Sequence, residues 1–378
     1  MSDLHSNTVA FVAGSQIPPS PPPAKDRGAV KWLRDNMFSS VANGILTVIA
    51  ALVIITAVPA ILQWAFIDAV WSAGSLSECR EIAAANGVEG AFACWAVINE
   101  RFNQFLFGFY PNELLWRPVL AFVLMFVAMA PVLFRSLPRQ MLWFSLAYPF
   151  LAYFLIWGGL GLEPVESSKI GGFLLALIIG VTGIVASLPF GVLLALGRKS
   201  DLFFIKTICV VFIEFIRGVP LITLLFVAAV MLSYFVPPGT NFDLLVRMLI
   251  MVTLFASGYM AEVIRGGLQA IPKGQYEAAD AMGLKYWQAM RLIILPQALK
   301  ISIPGIVNTF IALYKDTTLV IVIGRLDILG IGNSSLADAK WQGLSTEVYV
   351  FVAVFFFCSC FLMSRYSLYL EKKLHTGH

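Results

Sequence analysis

Long apolar runs constrain this chain more than any other feature. Eight of them approach the length that crosses a ~30 Å hydrocarbon core, about 20 residues as a helix. Their cores are Val41–Phe66, Pro118–Phe134, Met141–Trp157, Ile170–Leu196, Val210–Val236, Leu244–Ile264, Ala298–Ile323 and Val348–Met363. Lipid offers no hydrogen bonds, so a spanning segment satisfies its own backbone as a helix or joins a closed barrel. The alternation of barrel strands is absent, which leaves helices. Composition agrees, since only 13% of the 378 residues are charged, about half the share in a soluble domain. The expected fold class is an all-α integral membrane protein with about eight transmembrane helices.

The same numbers exclude several functions. The net charge of +4 is small, and no basic run is clustered enough for nucleic acid. The three His (His5, His375, His378) lie in the tails, which excludes a His-based metal or proton-relay site in the membrane. No cofactor is expected. Lys and Arg favour the side on which chains are made. With the N-terminus inside, eight spans return the C-terminus inside. The inner segments then hold Lys25, Arg27, Lys31, Arg34, Arg135, Arg139, Arg198, Lys199, Lys206, Arg217, Arg265, Lys273, Lys285, Arg291, Lys300, Arg365, Lys372 and Lys373, which is 18 of the 26 basic residues. Both termini are therefore expected in the cytoplasm.

Residues 1–40 are polar, and the Pro-rich run Pro18–Pro23 reads as part of a disordered tail. The first apolar run is too long for a signal-peptide core and is expected to stay as a span. Residues 41–165 supply three spans and a long external loop, 68–115. Cys79 and Cys94 lie in that loop. Its expected compartment is oxidising, so they form a disulfide or remain two thiols. The loop is Gly- and Ala-rich without an evident core, which favours the disulfide. Cys209, Cys358 and Cys360 lie in or beside spans and read as small apolar residues. Gly183, Ser187, Gly191 and Ala195 recur four apart in the fourth span, a stripe that lets helices approach closely within one subunit.

A short polar segment between the sixth and seventh spans stands out. Pro272 and Gly274 should break the helix arriving from the membrane. Gln275–Met282 is rich in helix formers, with Glu277 and Asp280 expected early in the new helix. Gly283 can take the left-handed conformation that ends a helix. Ala278, Ala279 and Ala281 keep its sides thin, so it can enter a groove on a soluble partner.

The spacing Glu277-Ala278-Ala279, Gly283, Ile293, Leu295-Pro296 resembles the cytoplasmic "EAA" signature of bacterial ABC import permeases at every specified position. Ala261–Gly267, Leu295–Lys300 and Lys315–Leu319 resemble the polar-amino-acid importer subfamily. So does Arg217-Gly218-Val219-Pro220, with Val219 where Thr is usual. The extra N-terminal spans resemble the M-type permease of general L-amino-acid importers. The resemblance implies a five-helix type I permease core over 166–373, with the EAA loop at 265–296. It implies an inner-membrane subunit that imports L-amino acids. Its implied partners are a cytoplasmic ATPase dimer, a second permease and a periplasmic binding protein. A heterodimer with a shorter permease is expected.

The chain itself is not expected to be an enzyme. It has no G-x-x-x-x-G-K-[ST] phosphate loop, so energy comes from a partner or an ion gradient. The alternative function is an ion-coupled secondary transporter, which predicts inverted repeats and midplane carboxylates. No repeat is evident. Lys315, Asp316, Thr317 and Thr318 lie deep in the seventh span. They have the group types that hold a zwitterionic amino acid. They also fit an interfacial cluster in which Lys315 snorkels outward.

Overall fold

The computed structural model describes residues 28–133, 137–235, 237 and 242–374. The tail reading for Pro18–Pro23 and the three His lie outside them. The described residues contain α-, 3₁₀- and π-helix but no β-strand. Six helices are long and apolar enough to cross a membrane, or seven when one bent pair counts as a span. The remaining candidate, Met141–Trp157, forms a helix of 17 residues, slightly short on its own.

The chain divides into two compact units. The first comprises the chain to Ala69 plus Gly90–Ala93, and the second holds Val70–Glu89 and everything from Cys94. In the first unit, α1 (Gly28–Asn36) is a short helix within the stretch read from sequence as tail. α2 (Val41–Leu62) opens with Ser40, whose hydroxyl accepts from the Asn43 amide, and runs into a π-helical turn, Gln63–Ile67. α2 is apolar all round and buries none of its residues, as expected where lipid is the solvent.

In the second unit, α3 (Leu76–Ala85) and α4 (Ala96–Phe107) lie between the first two predicted spans. α5 (Trp116–Leu133) and α6 (Met141–Trp157) pair as a hairpin. Arg117 is fully buried and donates to the carbonyls of Leu155 and Glu163, at 2.7 and 2.8 Å. A guanidinium thereby satisfies a carbonyl in the last turn of α6, where the helix dipole favours a cation.

α7 (Gly172–Arg198) is the spine, packing along α10 (Leu244–Gln269). The small stripe serves this contact: a Cβ on Gly191 would come 2.7 Å from Met260. α8 (Phe203–Gly218) meets the helix that starts with α9 (Leu221–Phe226) and runs to Met231 at a bend of 102°. Arg217, Gly218 and Pro220 occupy the corner, where Pro220 cannot donate to a continued ladder. α11 (Lys273–Ala281) and α12 (Tyr286–Ala289) precede α13 (Leu295–Asp316), which packs on α10. α14 (Ile328–Leu336) and α15 (Ser345–Leu374) finish the unit.

Candidate functional site

Two places gather the groups of interest, a polar end around α11 and a cavity between α10 and α13. Pro272 is the N-cap of α11, and the helix starts at Lys273, two residues earlier than the sequence implied. Gly274 therefore lies inside the first turn rather than breaking it. Glu277 consequently sits mid-helix and Asp280 in the last turn, neither in the first. Gly283 has φ +71° and open space around its missing Cβ. The Gly283 amide donates to Asp280 O at 2.9 Å and the Leu284 amide to Ala279 O at 3.2 Å, closing the helix on a left-handed residue.

The faces of α11 differ. Glu277 and Ala278 are exposed, whereas Ala279 is fully buried in the chain's own core. Ala278 and Ala281 thus lie on the open side of the helix, whereas Ala279 does not. Ile293 packs partly buried against the cluster of Met260, Ile264 and Ala298. Leu295 and Pro296 start α13, with Pro296 exposed in the first turn where no amide is needed. Met282, Tyr286, Trp287 and Leu292 leave between 51% and 66% of their surface open beside α11.

Tyr276 holds α11 to the bundle. Its hydroxyl donates to Leu268 O at 3.2 Å and accepts from Lys199 Nζ at 3.1 Å, while Lys199 Nζ lies 4.5 Å from the ring centroid. Arg198 reaches Glu214 and Glu262, each at 2.8 Å. Glu262 also takes two bonds from Arg265, at 3.0 and 2.8 Å, and lies 3.8 Å from Arg217. From sequence the four basic members, Arg198, Lys199, Arg217 and Arg265, count as inner charges, with nothing to join them to the acids. Their pairing needs α7, α8 and α10 side by side.

The cavity holds about 270 Å³ and is lined by Phe255, Ala256, Tyr259, Asn308, Thr309, Ala312, Leu313 and Asp316. Its size sits just under the ~300–1,000 Å³ typical of small-molecule pockets. Asp316 also lines a smaller void with Leu221, Leu225 and Thr317. Of the four residues grouped from sequence, the structure brings only Asp316 to the cavity. Thr317 is buried and its hydroxyl donates to Tyr314 O; Thr318 donates to Lys315 O; Lys315 is exposed. Helical neighbours point about 100° apart, so four consecutive side chains cannot face one ligand. Asn308, Ala312 and Asp316, spaced four apart, share a face instead.

A model of binding-protein-dependent transport system inner membrane components matches residues 187–376. The chain is 49% identical over 430 residues to the glutamate/glutamine/aspartate/asparagine transport system permease protein BztC of Rhodobacter capsulatus, covering 98% of this chain and 99% of that one. The chain belongs to this family of inner-membrane transport components. It is also 46% identical to the inner membrane amino-acid ABC transporter permease protein YhdY of Escherichia coli, covering 95% and 97%. A shorter relative, the probable glutamine ABC transporter permease protein GlnM of Bacillus subtilis, is 34% identical over 56% of this chain and 95% of its own length. The matched span of this family of permease components includes α11, the Glu262 network and both walls of the cavity.

Proposed function

We propose that this chain is the permease subunit of an ATP-driven importer for L-amino acids in a bacterial inner membrane. Both termini face the cytoplasm, a separate ATPase dimer docks on α11, a periplasmic binding protein delivers substrate, and a shorter permease completes a heterodimer. The observation that carries this reading is end-to-end similarity to two permeases, BztC and YhdY, whose names state amino-acid transport. Support comes from the exposed α11 with its left-handed stop, a shape suited to a groove on a soluble partner.

The α10–α13 cavity is the proposed substrate passage. An amino acid carries an ammonium for Asp316, and Asn308 and Thr309 offer neutral bonds beside it. The test is uptake of labelled amino acids by proteoliposomes holding this chain, its partner permease, the ATPase and the binding protein. ATP-dependent uptake is expected, and Asp316→Asn should lower it while leaving assembly intact. Uptake driven by an ion gradient without ATP overturns the importer reading. Unchanged uptake in Asp316→Asn removes Asp316 from the passage.

A further inference from the structure

The end of α7 places two basic neighbours on two different structures. Lys199 holds Tyr276 of α11, through the 3.1 Å bond and the stacked ring. Arg198, one residue earlier, bonds Glu214 of α8 and Glu262 of α10. Glu262 is largely buried, with 16% of its side chain exposed, and three guanidinium groups surround it: Arg198, Arg265 and Arg217. Arg217 in turn lies 5.8 Å over the ring of Tyr259, which lines the cavity. These contacts form an unbroken chain from α11 to the cavity, and no link in it belongs to the EAA spacing except through Tyr276, next to Glu277.

We infer that Lys199 and Arg198 are positioning residues that carry movement of α11 to the mouth of the cavity. The inference rests on the importer reading. Three features support it. Arg198 and Lys199 are adjacent on one helix end, so moving one moves the other. The links are side-chain bonds between partly exposed groups, which can exchange partners without unpacking a core. The loosest contact, Arg217 to Glu262 at 3.8 Å, stands beside the cavity, where a changed arrangement opens or closes the passage. The structure holds one pairing of this acid among three guanidinium groups, and a second pairing with Arg217 drawn in or released would supply the bistable element that coupling between distant sites requires.

The experiment measures amino acid imported per ATP hydrolysed, in proteoliposomes with the ATPase, the binding protein and the partner permease. Lys199 is exposed, so Lys199→Met should fold and insert. Transport per ATP should fall roughly 5- to 150-fold, the usual range of a coupling energy, while the ATPase still co-purifies. Lys199→Arg should restore most of it, since an arginine can donate to the Tyr276 hydroxyl. Glu262→Gln should uncouple to a similar degree from the other end. Because both act in one relay, the double variant Lys199→Met/Glu262→Gln should be no worse than the weaker single variant. Wild-type transport per ATP in Lys199→Met, or losses that multiply in the double variant, overturns the relay. If the unaltered complex shows no ATP-dependent uptake, the importer reading fails with it. If that complex transports normally and only the variants disagree, the relay alone fails.

Discussion

The two ends of α7 are held in opposite ways. The helix is 27 residues, so its ends lie about 40 Å apart at 1.5 Å per residue. At its start Gly171 and Gly172 are buried, and most of the nearby bonds that tie the chain together are backbone bonds. The Gly172 amide donates to Leu326 O at 2.8 Å, and Phe109 donates to Lys169 O at 3.1 Å. Glu347 accepts from the Cys94 amide, Leu76 donates to Lys340 O, and Arg101 pairs with Asp338. Cys79 and Cys94 are bonded, with Cα atoms 6.1 Å apart. At its finish, beside the buried Ala195, Leu196 and Gly197, the polar contacts are ion pairs between partly open side chains and bonds to a short, mostly exposed helix. A backbone lattice fixes one arrangement, whereas a set of ion pairs permits several. The first end reads as an anchor and the second as the place where motion enters.

Two left-handed glycines give the sharpest break between the ends. Gly172 has φ +61°, and a Cβ there would sit 2.4 Å from Phe105 O. A Cβ on Gly171 before it would sit 2.8 Å from the Leu326 carbonyl oxygen. Backbone on both sides leaves nothing to yield. Gly172→Val combines strain and collision and should cost more than ~4 kcal/mol, in the range tied to severe core defects. The expected result is loss of folded permease from membranes, read by abundance and by a monodisperse peak in detergent. Normal yield of Gly172→Val would show that the anchor end yields after all.

Next in size is the disulfide. The bridged residues are 15 apart, for which the chain-entropy model gives about 3 kcal/mol. Replacing both with Ser should lower the melting temperature in detergent while leaving transport per ATP untouched, because no part of the relay is near. Intact mass with and without reductant checks the bond directly. Full alkylation of both thiols in unreduced, denatured protein refutes it.

Asp327 sharpens the comparison through pH. Its Oδ1 accepts from the Gly330 amide at 2.9 Å and caps α14, while Oδ2 is buried without a partner among the described residues. Burial pushes its carboxyl up from 3.8 to about 6, against the backbone bonds that favour the anion. Its folded value lies above the unfolded one, so its contribution is full below about pH 4 and is lost as the pH rises through 6. Roughly two pKa units correspond to about 2–3 kcal/mol. Asn keeps the capping oxygen without the charge. The melting temperature of wild type relative to Asp327→Asn should therefore fall between pH 4 and 7. A constant difference across that range would mean the carboxyl is as well solvated in the fold as outside it.

The spans were legible because lipid imposes a length and a composition on each one. The corner at Pro220 lies inside a run taken as one span, although charge and a missing amide fall together there. The start of α11 was misread by two residues because Gly274 was weighed as a breaker, although Pro272 already sets the boundary. The cavity was half legible. Asp316 stood out as a deep charge, but its companions Asn308, Thr309 and Tyr259 are ordinary residues whose meaning depends on which face of α13 meets α10. The Glu262 network was not legible, because its members lie on three helices and sequence spacing does not specify which helices touch.

Gly283 carries the smallest expected change in stability and the most direct reading of the moving end. Its φ of +71° is close to that of Gly172, yet nothing lies within 4 Å of where its Cβ would be. Strain is thus the whole cost, about 1–2 kcal/mol for a residue with a Cβ. Gly283→Val should therefore appear in membranes at normal abundance, with a melting temperature lowered by a few degrees at most. The backbone has an alternative that relieves the strain. It can leave the left-handed region, which breaks the bond from Leu284 to Ala279 O and lets α11 run on or tilt. Either change moves Ala278 and Glu277, the exposed face proposed to meet the ATPase, while the core under Ala279 keeps the other face in place. Ala278→Trp tests that face by bulk and should give the same phenotype without backbone strain. The measurements are co-purification of the ATPase and amino acid moved per ATP. Loss of either at normal abundance, set against the loss of folded protein in Gly172→Val, separates an end that transmits from an end that holds. Wild-type values for both in Gly283→Val would make α11 a bystander and return the role of docking helix to the neighbouring exposed residues Met282, Tyr286 and Trp287.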